Sequence, residues 1–250
     1  MGTCFRDRLL AKEVLCGTLA GLSSPDSAEV LARCGFDWLF IDAEHSAMDF
    51  AALNAILATA GRLCPCVVRV PGHSPEWIKK VLDLGPAGVI IPLVNDPETA
   101  ARLVSACRYP PEGARSVGIG RAHGFGLDFA GYLARANRET AVILQAEHIL
   151  AVENIEKILD VSSPDAIFVG PYDLSASMDK IGQVNDPDVL AAIETVARAT
   201  RARNIALGIF GVIPEAVIPW RDKGFTLLCA GCDTLLLAQA AQAALGKMKG

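Results

Sequence analysis

Short runs of apolar residues recur along the chain, separated by longer stretches in which apolar and polar residues alternate with a helical period. The runs are "VLCGTLAG" (14–21), "FDWLFID" (36–42), "CPCVVRV" (64–70), "AGVIIPLV" (87–94), "AVILQAE" (141–147), "DAIFVG" (165–170), "ALGIFGV" (206–212) and "FTLLCAG" (225–231). Each is short and bounded by turn residues, which predicts buried strands. Between them, "PDSAEVLARCG" has Ser24 as N-cap, Pro25 in the first turn and Gly35 as a stop, the punctuation of a helix. "SPEWIKKVLDLG", "DPETAARLVSACR" and "DPDVLAAIETVARATRARN" begin the same way, with a capping residue and proline.

Eight buried strands alternating with helices imply parallel pairing, because the crossover helices must cover the sheet. Eight is also the number at which such a sheet closes into a (β/α)₈ TIM barrel. An open doubly wound sheet would carry a glycine-rich phosphate turn after its first strand, and "GTLAGLSSP" is not one. No low-complexity linker or repeat interrupts the series, so residues 1–250 are expected to form a single barrel domain.

Composition narrows the partners. With 52% hydrophobic and 6% aromatic residues, the core should be aliphatic. A net charge of −5 and no basic run longer than Lys79-Lys80 argue against nucleic acid and anionic membranes. No stretch of "MGTCFRDRLLAKEVLCG" has the length and continuity of a signal peptide or membrane span, so a soluble, cytoplasmic protein is expected. The eight cysteines do not form a small disulfide framework. Cys229-x-x-Cys232 has redox or zinc spacing, a weak signal when it stands alone.

In an eight-stranded barrel the chemistry sits where strands end. Those ends carry Asp42, Glu44 and His45 after the second run, Arg69 in the third, Gln145 and Glu147 in the fifth, and Asp173 in "GPYDLS" after the sixth. Glu147 and Asp173, on consecutive strand ends, suit a hard or borderline divalent ion such as Mg²⁺, Mn²⁺ or Co²⁺. Alternatively, Glu147 caps the next helix and Asp173 is an exposed turn residue. Arg69 either is salt-bridged structurally or holds a substrate oxygen. His45, beside Glu44 and near Asp42, has the setting of a general base oriented by a carboxylate. His148 starts a helix and reads as a surface or packing residue. The eight lysines all fall in helical or terminal segments, which disfavours a Schiff base and points to metal-assisted chemistry.

"GFDWLFIDAEH", "VVRVPG", "VLDLGPAGVIIPLV", "RYPPEGARSVG", "LQAEHILAVENI" and "DAIFVGPYDLSASM" resemble, in order, the motifs of the metal-dependent, class II pyruvate aldolases of the 4-hydroxy-2-oxoheptanedioate aldolase family. The resemblance runs from about Gly17 to the C-terminal helix. It implies a (β/α)₈ barrel that reversibly cleaves a 4-hydroxy-2-oxo acid to pyruvate and an aldehyde. It further implies a divalent ion on Glu147 and Asp173, His45 as base, and Arg69 and Gln145 on the pyruvyl group. Backbone amides around Pro171 and Tyr172 would meet the pyruvate carboxylate. Asp83 would pair with the base across a subunit contact, in a homohexamer (a dimer of trimers, or else a trimer) with exchanged C-terminal helices. The chain departs from the pattern at Ala43, Pro86 and "GRAHGFG" (120–126), and at Leu19, where several relatives carry a tryptophan lining the aldehyde pocket. Two rivals stand beside this reading: a citrate-lyase-like or malyl-CoA-type lyase on the same barrel, and a non-catalytic metabolite-binding barrel.

Overall fold

The computed structural model describes residues 3–161 and 163–250. The elements run α1 (Phe5–Leu10), β1 (Leu15–Ala20), α2 (Pro25–Arg33), β2 (Trp38–Asp42), α3 (Phe50–Thr59), β3 (Cys66–Arg69), α4 (Pro75–Asp83), β4 (Gly88–Ile91) and α5 (Pro97–Cys107). They continue with α6 (Phe129–Glu139), β5 (Ala141–Ala146), α7 (Ile149–Glu153), α8 (Ile155–Val161), β6 (Ala166–Val169), α9 (Pro171–Ser177) and α10 (Pro187–Ala202). The last are β7 (Ala206–Gly211), α11 (Pro214–Arg221), β8 (Leu227–Cys232) and α12 (Asp233–Lys249). All eight strands are parallel, and β1 pairs with β8, so the sheet closes into the expected (β/α)₈ barrel. Among the described residues, no helix is long and apolar enough to cross a membrane.

Because side chains alternate across a strand, each strand feeds two cores. Leu39 and Ile41 of β2, Val68 of β3 and Val142 and Leu144 of β5 point outward and pack under the helices. Trp38 and Phe40, Val67, Ala141 and Ile143, and Phe168 point inward and fill the barrel. The same alternation carries the inward row on to Asp42, Arg69 and Gln145 at the strand ends. Large interior rings need small partners. A Cβ on Gly17 would lie 2.5 Å from Trp38 Nε1, so glycine is required there.

α1 was not apparent in the sequence. Six residues carry too little periodicity to register, yet Phe5 and Leu9 are buried and join the interior cluster. Lying before β1, α1 closes the amino-terminal end of the barrel, tied by Arg6 to Asp165 at 2.7 Å and by Arg8 to Asp37 at 2.8 Å. At the other extreme, α12 keeps Leu236, Leu237, Leu245 and Met248 exposed. A cavity of about 280 Å³ beside β1 and β8, lined by Phe36, Val217, Ile218 and Leu228, lies open on the outer surface.

Candidate active site

A cavity of about 230 Å³ opens at the carboxyl end of the barrel. It is lined by His45, Arg69, Gln145, Pro171, Tyr172, Asp173 and Leu19, together with Phe40, Phe168, Phe210 and Val212. A larger hollow of about 600 Å³ at the amino-terminal end, with Arg62, Arg121 and Tyr132 in its wall, contains none of these groups.

Asp42 and Arg69 are register partners in the β2–β3 ladder, so their inward side chains meet. Arg69 Nε donates to Asp42 Oδ1 at 2.9 Å and Nη2 to Oδ2 at 2.8 Å, a bidentate pair in which both residues are buried. Asp42 Oδ1 also accepts from the Glu44 and His45 amides at 3.1 and 3.3 Å, which shapes the loop after β2. Burial alone would raise the Asp42 pKa, but the guanidinium and the two amides outweigh it and hold it below the ordinary carboxylate range. Burial likewise opposes the charge on Arg69, and Asp42, Glu44 and Glu147 more than restore it. The structural reading of Arg69 is therefore correct, and the cavity wall position leaves the substrate reading open as well.

Glu44 is half-buried, with its carboxylate 3.2 Å from Arg69 Nε and 3.8 Å from His45 Nε2. Burial raises its pKa, and Asp42 and Asp173 add to the rise against Arg69 and His45. His45 itself is largely exposed at the rim.

Glu147 follows β5 and is buried. Its Oε1 accepts from the Leu93 amide at 2.8 Å and its Oε2 from Gln145 Nε2. Leu93 sits after β4 with φ of 50°, a left-handed backbone that leaves its N–H with the carboxylate. Nothing in "IIPLVND" announces this backbone contact. A Cβ on Gly170 would lie 2.9 Å from Glu147 Oε2 and 3.0 Å from Gln145 Nε2, so glycine makes room for the Gln145–Glu147 pair. The helix-cap alternative for Glu147 fails, because α7 is capped by His148, whose Nδ1 accepts from the Leu150 amide at 3.1 Å.

Asp173 lies in the first turn of α9, exposed to the cavity, rather than on a strand. Pro171, at the start of α9, has no N–H, so amide donors there begin with Tyr172 and Asp173. Asp83 ends α4, which runs back from the mouth to the amino-terminal end of the barrel. There Asp83 Oδ1 is held by Arg115 Nη2 at 2.8 Å. The chain thus brings His45, Arg69, Gln145, Pro171, Tyr172, Asp173 and Leu19 to one cavity, with Asp42 behind Arg69 and Glu147 behind Gln145, and leaves Asp83 at the opposite end. Phe40, Phe168, Phe210 and Val212 were not foreseen as wall residues, although their inward parity was readable.

Three features fit a cation between Glu147 and Asp173. Burial, followed by the charges of Asp173 and Glu44, pushes Glu147 up to about 7 despite the Leu93 amide and Arg69. Gln145 Oε1 is buried without a hydrogen-bond partner. The donors are hard oxygens, which suit Mg²⁺ or Mn²⁺. Among the described residues, no group of three His, Cys, Asp or Glu side chains is placed to hold a metal, so two carboxylates would leave positions for water and substrate. All eight cysteines are free. Lys12 and Lys223 lie in turns and Lys180 in irregular chain, each shortly after a helix rather than within it, and no lysine is on a strand.

With this geometry in hand, known proteins provide the comparison. The sequence profile of the HpcH/HpaI aldolase/citrate lyase family matches residues 17–240. A hydroxypyruvate/pyruvate aldolase from Chromohalobacter salexigens is 40% identical over 94% of this chain and 93% of its own. One from Roseovarius nubinhibens is 37% identical over 98% and 96%. The crystal structure of an HpcH/HpaI aldolase/citrate lyase family protein from Burkholderia cenocepacia superposes with a TM-score of 0.93 at 34% identity, covering 98% of both chains. A match running from the first strand into the last helix, over the same barrel, means that the chain belongs to the HpcH/HpaI aldolase/citrate lyase family and is a carbon–carbon lyase of the aldolase type.

Proposed function

We propose that this chain reversibly cleaves a 4-hydroxy-2-oxo acid into pyruvate and an aldehyde, with a divalent ion held by Glu147 and Asp173. The observation that carries the reading is the buried Glu147 carboxylate, raised to about 7 among like charges, in a mouth whose guanidinium is already clamped by Asp42. The ion, Mg²⁺, Mn²⁺ or Co²⁺, supplies a Lewis acid next to the 2-oxo acid oxygens when bound.

The chain's own residues do the rest. Asp42 occupies the Nε–H and one N–H of Nη2 of Arg69, so the second Nη2 hydrogen and both on Nη1 are left as donors for the keto oxygen, where negative charge builds as the C3–C4 bond breaks. A fixed guanidinium stabilises that charge without reorganising. Gln145 orients the pyruvyl group, and the Tyr172 and Asp173 amides, at a helix start without intrahelical acceptors, receive its carboxylate. His45, through water and with Glu44 3.8 Å away, takes the C4-hydroxyl proton. Asp83 is too distant within one chain and serves as a partner to His45 only if a neighbouring subunit presents it. The exposed apolar face of α12 and the open cavity beside β1 and β8 support exchange of α12 between copies, as in a trimer or hexamer. The whole chain works as one barrel unit in the cytoplasm.

His45→Ala should lower the rate of carbon–carbon cleavage by about 100-fold or more while pyruvate still exchanges its methyl protons with D₂O. Nuclear magnetic resonance of the methyl signal separates the two steps, and an equal loss of pyruvate binding would make His45 a scaffold residue.

A second expectation concerns the metal-free protein. Glu147 has its pKa raised to about 7 in the folded state, so its contribution to stability is complete below the ordinary carboxylate pKa and is lost as pH rises through about 7. Melting curves after EDTA should show stability falling by roughly 3 kcal/mol over that window. Glu44 shifts in the same direction, so the comparison is with Glu147→Gln, which should flatten the profile. Added Mn²⁺ should restore the wild type most above pH 7. A wild type and Glu147→Gln with identical profiles would refute the raised pKa. Turnover itself is tested by incubating the protein with 4-hydroxy-2-oxo acids and detecting pyruvate, which also decides against the citrate-lyase-like and the non-catalytic readings.

A further inference from the structure

Opposite the polar wall of the mouth stands an apolar one. Leu19 on β1, Phe210 on β7 and Val212 just beyond it form the side, and Phe40 and Phe168, both fully buried, form the floor. Among the described residues lining the cavity, Arg69 and His45 are the groups able to carry positive charge. Arg69 is already engaged by Asp42 at 2.9 and 2.8 Å and by Glu44 at 3.2 Å. Asp173 lines the cavity and is committed with Glu147 to the proposed ion, while Asp42 and Glu44 face Arg69, so no cation is left over for a second substrate. A second hollow of about 480 Å³ shares Pro171, Tyr172 and Phe210 with the mouth and continues past Leu190, Ile193, Ile213 and Trp220. Its charged lining groups are Glu215, beside the mouth end of α11, and Lys223, at the far end, where Lys223 Nζ is paired with Glu194 at 2.7 Å.

We infer that the aldehyde partner of pyruvate in this chain is uncharged and carries an apolar substituent seated against Leu19, Phe210 and Val212. The inference rests on the pyruvate aldolase reading and adds the chemical class of the second substrate. A carboxylate carried by the aldehyde would have to leave water for an apolar wall without a free cation. An alkyl or aryl substituent loses nothing there and gains from leaving water.

The test compares two four-carbon aldehydes that differ in the terminal carboxylate. With the metal-loaded protein and saturating pyruvate, kcat/KM for butanal should exceed that for succinic semialdehyde at least about tenfold, the factor corresponding to 1.4 kcal/mol. Val212→Arg should bring the ratio towards or below one, and Leu19→Arg provides the same check if the first variant does not fold. Methyl-proton exchange of pyruvate in D₂O is followed in parallel. Exchange accompanied by a preference for succinic semialdehyde, or by inert butanal, overturns the acceptor inference and spares the aldolase reading. Absence of exchange together with absence of addition to either aldehyde overturns the aldolase reading, and the inference with it.

Discussion

Arg69→Ala is expected to lower kcat/KM by at least about 100-fold, the scale of losing one fixed donor to a developing oxyanion, and to weaken the fold as well. The two effects share a cause. Arg69 compensates the buried Asp42 carboxylate through two hydrogen bonds, at 2.9 and 2.8 Å, and lies 3.2 Å from Glu44. Its removal leaves a buried charge unpaired, which typically costs about 3–5 kcal/mol. Arg69→Lys retains the charge but loses the planar fork, so it should recover much of the stability and little of the rate. Asp42→Asn combined with Arg69→Ala should melt higher than Arg69→Ala alone, since the stranded charge is gone. Thermal melts and pyruvate-release kinetics on the same samples decide the matter. Near-normal kcat/KM in Arg69→Ala would leave the residue as a structural tie between β2 and β3.

The second large effect is at Glu147 and Asp173. Glu147→Gln removes a buried carboxylate that now accepts from the Leu93 amide and from Gln145. The barrel should remain folded, because the amide retains an acceptor for Leu93 and the repulsion from Asp173 and Glu44 disappears. Metal affinity should fall by at least about 10-fold, and activity should return only at high Mn²⁺ or Mg²⁺. Asp173→Asn should behave alike. The double variant should be no slower than the poorer single one, since both changes disable one unit. Titration of Mn²⁺ into Asp173→Asn is the direct measurement, and wild-type affinity there would remove Asp173 from the site.

Much of this was legible in the chain. Seven of the eight apolar runs contain their strands whole, and β8 continues one residue past its run to Cys232; run and strand ends differ by at most three residues. Asp42, Arg69 and Gln145 were legible as strand-end groups aimed at one mouth, and the structure shows them on the inward face. What stayed hidden has physical reasons. α1 is too short for a pattern, although Phe5 and Leu9 close the barrel. The Leu93 amide reaches Glu147 through a left-handed backbone that no residue type there announces. His148 was legible as the start of a helix, but that its side chain caps α7, leaving the adjacent Glu147 to accept from the Leu93 amide, follows only from geometry. Asp83 could be placed at the end of a helix, but which end of the barrel that helix reaches follows only from the closed topology.

The central claim is that cleavage of a hydroxy-oxo acid depends on an ion at Glu147 and Asp173. The most direct test follows pyruvate release from 4-hydroxy-2-oxo acids with lactate dehydrogenase, using protein stripped with EDTA and then reconstituted with Mn²⁺. The expected result is no pyruvate from the stripped protein, full recovery with Mn²⁺ in the wild type, and no recovery at the same Mn²⁺ concentration in Glu147→Gln. Pyruvate release that survives EDTA, or that Glu147→Gln sustains at the wild-type rate, would contradict it.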